Sequence, residues 1–117
     1  MYRWVLLEHK VPVNKLLDIH YDFLIEDKVD CLTWKIKELP TFKKGFIHIE
    51  RQINHRLIWL SREKYKLSEH RGFVRRIDFG TFKNISQTSD SQLIKLQLKG
   101  KILNGVLEIK GNYCRLL

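Results

Sequence analysis

The segment "IHYDFLIE" at residues 19–26 alternates strictly. Ile19, Tyr21, Phe23 and Ile25 fall on one parity, and His20, Asp22, Leu24 and Glu26 on the other. A period of two belongs to a strand with one buried face. The same reading makes "YRWVLLEH" (2–9) an opening strand. "KVPVNKLLD" (10–18) follows, and Pro12 denies it a continuous ladder, so it reads as a loop with a helical turn. The acidic "EDK" turns the chain into "VDCLTWKIK" (29–37), and "ELPTFKKG" (38–45) is a surface connection by its Pro40 and Gly45. "FIHIERQ" (46–52) and "HRLIWLS" (55–61) are further strands, while "REKYKLSEHRG" (62–72) is polar and irregular.

"FVRRIDFGTF" (73–82) reads as a strand ending at Gly80, and "KNISQTSDSQ" (83–92) as a loop. In "LIKLQLKGKIL-NG-VLEIK" the pair Asn104-Gly105 predicts a type I′ turn, whose two positive φ values Asn and Gly tolerate best. Ile94, Leu96 and Leu98 should face inward, and "GNYCRLL" adds a last strand after a glycine turn. Many short strands, no long 3.6-residue period and no repeat or linker predict one mainly β domain over residues 1–117. The expected form is a small antiparallel β-barrel with short helical turns.

Composition agrees: 44% hydrophobic and 11% aromatic residues suit a packed domain rather than a disordered one. No apolar run approaches a membrane span, no secretory leader is visible, and no basic amphipathic helix suggests membrane attachment. Cys31 and Cys114 are too few for a disulfide framework and too widely spaced for a metal knuckle, so reduced thiols in a cytoplasmic protein are expected. Charge adds most. Twenty-two Lys and Arg against thirteen Asp and Glu give +9, a balance that phosphate backbones reward through counterion release. Nucleic acid is therefore the expected partner class, with "FKKG", "REKYK" and "VRR" as phosphate contacts and Lys43 and Lys44 singled out. Nucleotide-binding glycine loops and the nucleophile elbow of serine hydrolases are both missing.

Reactive chemistry concentrates in the opening third. His20 and Asp22 stand two residues apart on one face of a strand, with Cα atoms roughly 6.5–7 Å apart. An imidazole and a carboxylate at that spacing close onto one small cation. A third ligand is needed, and His9 is the nearest in sequence. If 2–9 pairs antiparallel with 18–27, His9 approaches His20 only when residues 10–19 fold back compactly. The alternative is that these are plain surface residues. His48 reads as packed on a sheet face and His70 as an exposed loop residue. Trp4, Trp34 and Trp59 read as core residues before base-stacking ones.

"VLLEHK…IHYDFLIEDKVDCLTWKI" resembles the opening of the 3′-phosphoesterase domain of bacterial DNA ligase D, in which a His precedes a His-Tyr-Asp-Phe-Arg run. The likeness continues through "NHRLIWLSREKYKLSEHRGFVRRIDFGTF", with its Asp-x-Gly-Thr-aromatic close, and through the "LQLKGKILNGVLEIK" hairpin. It spans nearly the whole chain in order and is strongest to the short stand-alone relatives of that domain.

The resemblance implies a small β-barrel with a divalent metal, typically Mn2+, trimming 3′ ends of DNA or RNA strands in DNA repair. It implies His9, His20 and Asp22 as metal ligands and His55 as the catalytic residue that contacts the phosphate. Three positions depart from the family. Its arginine two residues after the metal aspartate is Leu24, its acidic residue two before the later histidine is Ile53, and its tyrosine four after is Trp59. A leucine cannot imitate a guanidinium clamp. The expectation is thus a metal-dependent 3′-phosphoesterase. The alternative is a catalytically impaired module of the same fold that binds nucleic acid or a DNA repair protein.

Overall fold

A computed structural model of the protein describes residues 2–41, 44–86 and 93–117. Nine strands account for most of it: β1 Tyr2–Val13, β2 Leu16–Glu26, β3 Cys31–Ile36, β4 Ile47–His55, β5 Lys64–Ser68, β6 Gly72–Asn84, β7 Leu93–Lys99, β8 Gly105–Lys110 and β9 Tyr113–Leu116. All pairings are antiparallel. The order is β1-β2-β3-β4-β9-β8-β7-β6-β5, and β1 also pairs with β6. Eight strands thus form a closed, barrel-like ring, with β5 added to the outer edge of β6. No helix among the described residues is long and apolar enough to cross a membrane.

Alternation sorts the side chains into two cores. Trp4, Leu6, Phe23, Ile25, Trp34 and Ile36 point inward, where Leu96, Leu98, Leu107 and Ile109 meet them from the far side. The buried indole of Trp4 donates its N–H to the Thr81 carbonyl at 3.0 Å, which lets so polar an edge sit inside. The opposite parity of β1 and β2 is also apolar. Val5, Leu7 and Leu24 form a second cluster outside the ring with Cys31, Leu60 and Val74. Each buried side chain of this size contributes roughly 2 kcal/mol, so the outer cluster must be covered.

That requirement explains two corrections. Residues 57–60 of "HRLIWLS" are a 3-10 turn, not a strand. "LIWL" is an unbroken apolar run with no alternation, and it lies across the outer face, where Leu57, Trp59 and Leu60 pack on the second cluster. The polar "REKYKLSEHRG" holds strand β5, which lays Leu67 on the same cluster.

The chain between β1 and β2 is not a loop. Both strands run on to a two-residue turn at Asn14 and Lys15, with Val13 opposite Leu16. Asn14 adopts φ 57°, a left-handed value that its short amide tolerates better than other side chains do. Pro12 is accommodated because β1 pairs with β6 only up to Lys10; beyond it that side of β1 has no partner strand among the described residues.

β6 does not stop at Gly80 but continues to Asn84. At Gly80 the strand passes close to β7: a Cβ there would stand 1.7 Å from the Lys99 carbonyl oxygen. The expected turn at Asn104-Gly105 is also corrected. Gly105 already pairs with Leu98, and Asn14 alone among the described non-glycine residues has a positive φ. The connection is instead 100–104, wrapped around the carboxylate of Asp78. Its two oxygens accept N–H bonds from Phe79, Lys101, Ile102 and Leu103 at 2.8–3.0 Å. Leu103 thereby plugs the ring, fully buried. The two-residue glycine turn occurs later, at Gly111 and Asn112. Residues 87–92 of the expected 83–92 loop lie outside the described residues.

Candidate metal centre

The β1–β2 turn sets a register in which His9 faces His20 and Leu7 faces Asp22. His9, His20 and Asp22 share the outward parity of Leu7 and Leu24, so all three emerge on the outer face. The condition that residues 10–19 fold back compactly is met by the hairpin itself. One nitrogen of each ring and one carboxylate oxygen lie within 4.8 Å of one another. His9 Nδ1 is 3.8 Å from Asp22 Oδ2 and His20 Nε2 is 3.5 Å from Asp22 Oδ1. The two imidazoles meet edge to face at 4.7 Å.

The hydrogen bond of His9 favours a cation. His9 Nε2 donates its N–H to the Arg71 carbonyl at 2.7 Å. The other nitrogen, Nδ1, then turns a lone pair toward Asp22. A ring nitrogen tied to a backbone carbonyl while its partner faces a carboxylate is the usual way a metal-ligating imidazole is oriented. His20 turns Nε2 toward Asp22, and its other nitrogen, Nδ1, is buried with no partner among the described residues, a position that a cation held beside Asp22 would not reach. Ligands bonded at about 2.1 Å stand about 3.4 Å apart around a tetrahedral centre; the two imidazole–carboxylate separations of 3.5 and 3.8 Å are near this but end on different oxygens, and one atom from each residue gives a looser set, within 4.8 Å. Three polar groups therefore converge, largely out of water, without bonding one another, an arrangement that costs free energy unless a ligand satisfies it. The group can hold a metal ion.

His55 reaches the same place from β4. With Asp22, His9, Leu7, Trp59 and Arg71 it lines a pocket of about 140 Å³. Its Nδ1 donates to the Ile53 carbonyl at 3.1 Å, which leaves Nε2 as the other polar atom of the ring. The outer core thus floors the pocket, and the 3-10 turn supplies one wall.

Arg71 does not stand out in the sequence. Its carbonyl is its clearest contribution, and a backbone role leaves no mark on residue type. Lys44 pairs with Glu38 at 2.8 Å and does not line this pocket; Lys43 lies outside the described residues. His48 is exposed and stacks edge-on against Tyr113, and His70 is in an exposed turn. Trp4 and Trp34 are core residues, whereas Trp59 stands at the site. Both cysteines are buried and free. Burial pushes the Cys31 thiol up to about 11, with Asp30 and Glu26 adding to it, and the Cys114 thiol up to about 12. Neither is a nucleophile near neutral pH.

Leu24 is fully buried in the outer core. Leu24→Arg is therefore expected to destabilise the fold by more than about 3 kcal/mol rather than restore a phosphate clamp, because an unpaired guanidinium would enter an apolar cluster. Urea unfolding of the variant checks this; an unchanged midpoint would contradict it.

No protein-family model matches the chain, and no curated protein matches it.

Proposed function

We propose that the protein is a metal-dependent phosphoesterase acting on 3′ ends of DNA or RNA, as a 3′-phosphatase or a remover of 3′ ribonucleosides, in DNA repair. One observation carries the reading: two imidazoles and a carboxylate converge, and a further histidine, His55, lines the pocket that His9 and Asp22 line. His9, His20 and Asp22 would hold the cation, Mn2+ by the family resemblance, and a bound divalent cation would polarise the phosphate and stabilise its developing charge. His55 Nε2 would neutralise or protonate a phosphate oxygen. The basic composition supports an anionic substrate.

A second reading is favoured by a specific feature. Leu24 buries an apolar side chain where the family carries its arginine, and Ile53, at the position of the family acid, is 87% exposed. On that reading the chain keeps the cation and binds nucleic-acid ends or a repair protein without turnover.

The experiment is phosphate release from a primer–template ending in a 3′-phosphate, with Mn2+ or with EDTA. The enzymatic reading expects release with Mn2+ alone and a loss of about 100-fold or more in His55→Ala. Wild-type protein that binds Mn2+ and the primer–template but releases nothing would decide for the non-catalytic reading.

A further inference from the structure

We infer that the opposite face of the same strands is a second site, a groove that binds a single-stranded nucleic-acid segment without the metal. It shares with the proposed function the class of ligand but none of its charged or polar side chains.

Past the ring, β2, β1, β6 and β5 continue side by side as a four-stranded flap. One face of the flap carries His9 and His20. The alternate residues point the other way: Lys10 from β1, Phe73 and Arg75 from β6, Lys64 and Lys66 from β5. They line a groove of about 520 Å³. Register orders them in two rows. Phe73 stands between Lys66 and Lys10, and Arg75 stands between Lys64 and Glu8. Adjacent rows on one strand face are roughly 6.5–7 Å apart.

Two features point to a ligand. Lys64 and Arg75 are direct cross-strand partners, and like charges so placed destabilise a sheet. Glu8 is the one carboxylate lining the groove among the described residues, and it is shared between Arg75 at 3.3 Å and Lys10 at 3.7 Å. A phosphate backbone would relieve this excess of positive charge. Phe73 is 54% exposed in the middle of the cations, with the Lys66 ammonium 5.9 Å from its ring centre. An aromatic ring open to solvent and flanked by lysines combines a stacking platform with backbone neutralisation, which is how single strands are held without regard to sequence. A fold-stabilising role would instead have buried that ring.

The test is fluorescence anisotropy of a labelled oligothymidylate in EDTA, across a salt series. The double variant Lys64→Glu/Lys66→Glu should lose tenfold or more in affinity at low salt. The log–log salt slope should flatten by about 0.7 for each phosphate that is no longer neutralised. Phe73→Ala should lose roughly tenfold with the salt slope unchanged, separating stacking from charge. These side chains are exposed, so thermal unfolding should not fall below wild type, and Lys64→Glu, now opposite Arg75, should raise it slightly if at all. Wild-type affinity in both variants would overturn the inference. So would displacement by polyglutamate of equal charge as readily as by unlabelled oligonucleotide, which would mark a surface that recognises charge alone. Because EDTA is present throughout, failure to bind or use a metal leaves this result standing.

Discussion

Asp22→Ala is expected to abolish divalent-metal binding while leaving the metal-free protein as stable as before, within about 1 kcal/mol. The two halves of this expectation have one cause. In the metal-free chain the Asp22 side chain is 11% exposed, and its carboxylate oxygens sit 3.5 and 3.8 Å from imidazole nitrogens. It is desolvated without a good hydrogen bond, so removing it forfeits little. With a cation present, the same oxygens supply the anionic ligand, and their loss should weaken binding by at least about 100-fold. Calorimetric titration with Mn2+ and with Zn2+ reads the affinity directly. A wild-type chain at a hundredfold excess over Kd should gain about 2.7 kcal/mol, or roughly 10 °C in Tm. The variant should gain nothing. Affinity should also fall on acidification, because protons compete for the imidazole lone pairs. Equal Mn2+ affinity in wild type and Asp22→Ala would rule out the metal centre.

Asp78→Ala is expected to do the opposite: it should harm the fold wherever the metal stands. Four backbone N–H groups end on this one carboxylate. Bonds to a charged acceptor contribute more than neutral ones, and a buried donor left alone costs about 1–3 kcal/mol. The amides of Lys101 and Ile102 can turn to water, but that of Leu103 cannot without withdrawing its side chain from the core. A loss of about 3–4 kcal/mol follows, or roughly 10–20 °C in Tm. Asp78→Asn should recover part of it, since one oxygen still accepts. A thermal midpoint within about 2–3 °C of wild type for Asp78→Ala, about one kcal/mol or less, would contradict the clamp.

These two aspartates mark what could be read from the chain alone. Asp22 lies in a strictly alternating strand, so its face and its company with His20 follow from period two. The approach of His9 was harder, because it depends on a turn whose signal is a lone Asn14, next to a proline that argues against a strand. Pro12 is harmless only because β6 turns away at Lys10, a long-range fact. "LIWL" is apolar enough for a buried strand, and only the presence of a second core outside the ring makes it a cover instead. Asp78 opens the Asp-x-Gly-Thr-aromatic run, which by itself assigns the carboxylate no structural role. Nothing local says that a carboxylate in β6 will fold a connection more than twenty residues away. Asn104-Gly105 has strong hairpin chemistry, but that clamp outweighs it.

The ring is held very unevenly around its circumference. β1 is laced to β6 from Tyr2–Phe82 to Lys10–Phe73, whereas β4 meets β9 only at Ile47–Cys114 and His48–Tyr113, with one further bond from the Ile49 amide to the Asn112 carbonyl. Such a cuff has a clasp and a hinge. Local opening free energies follow the density of backbone bonds and packing, so β4 and β9 part first, and their amides exchange with solvent long before those of β1 and β2. His9, His20 and Asp22 all stand at the hinge. The clasp can breathe many times while the three ligands keep their spacing, whereas His55, at the far end of β4, rides on the looser half.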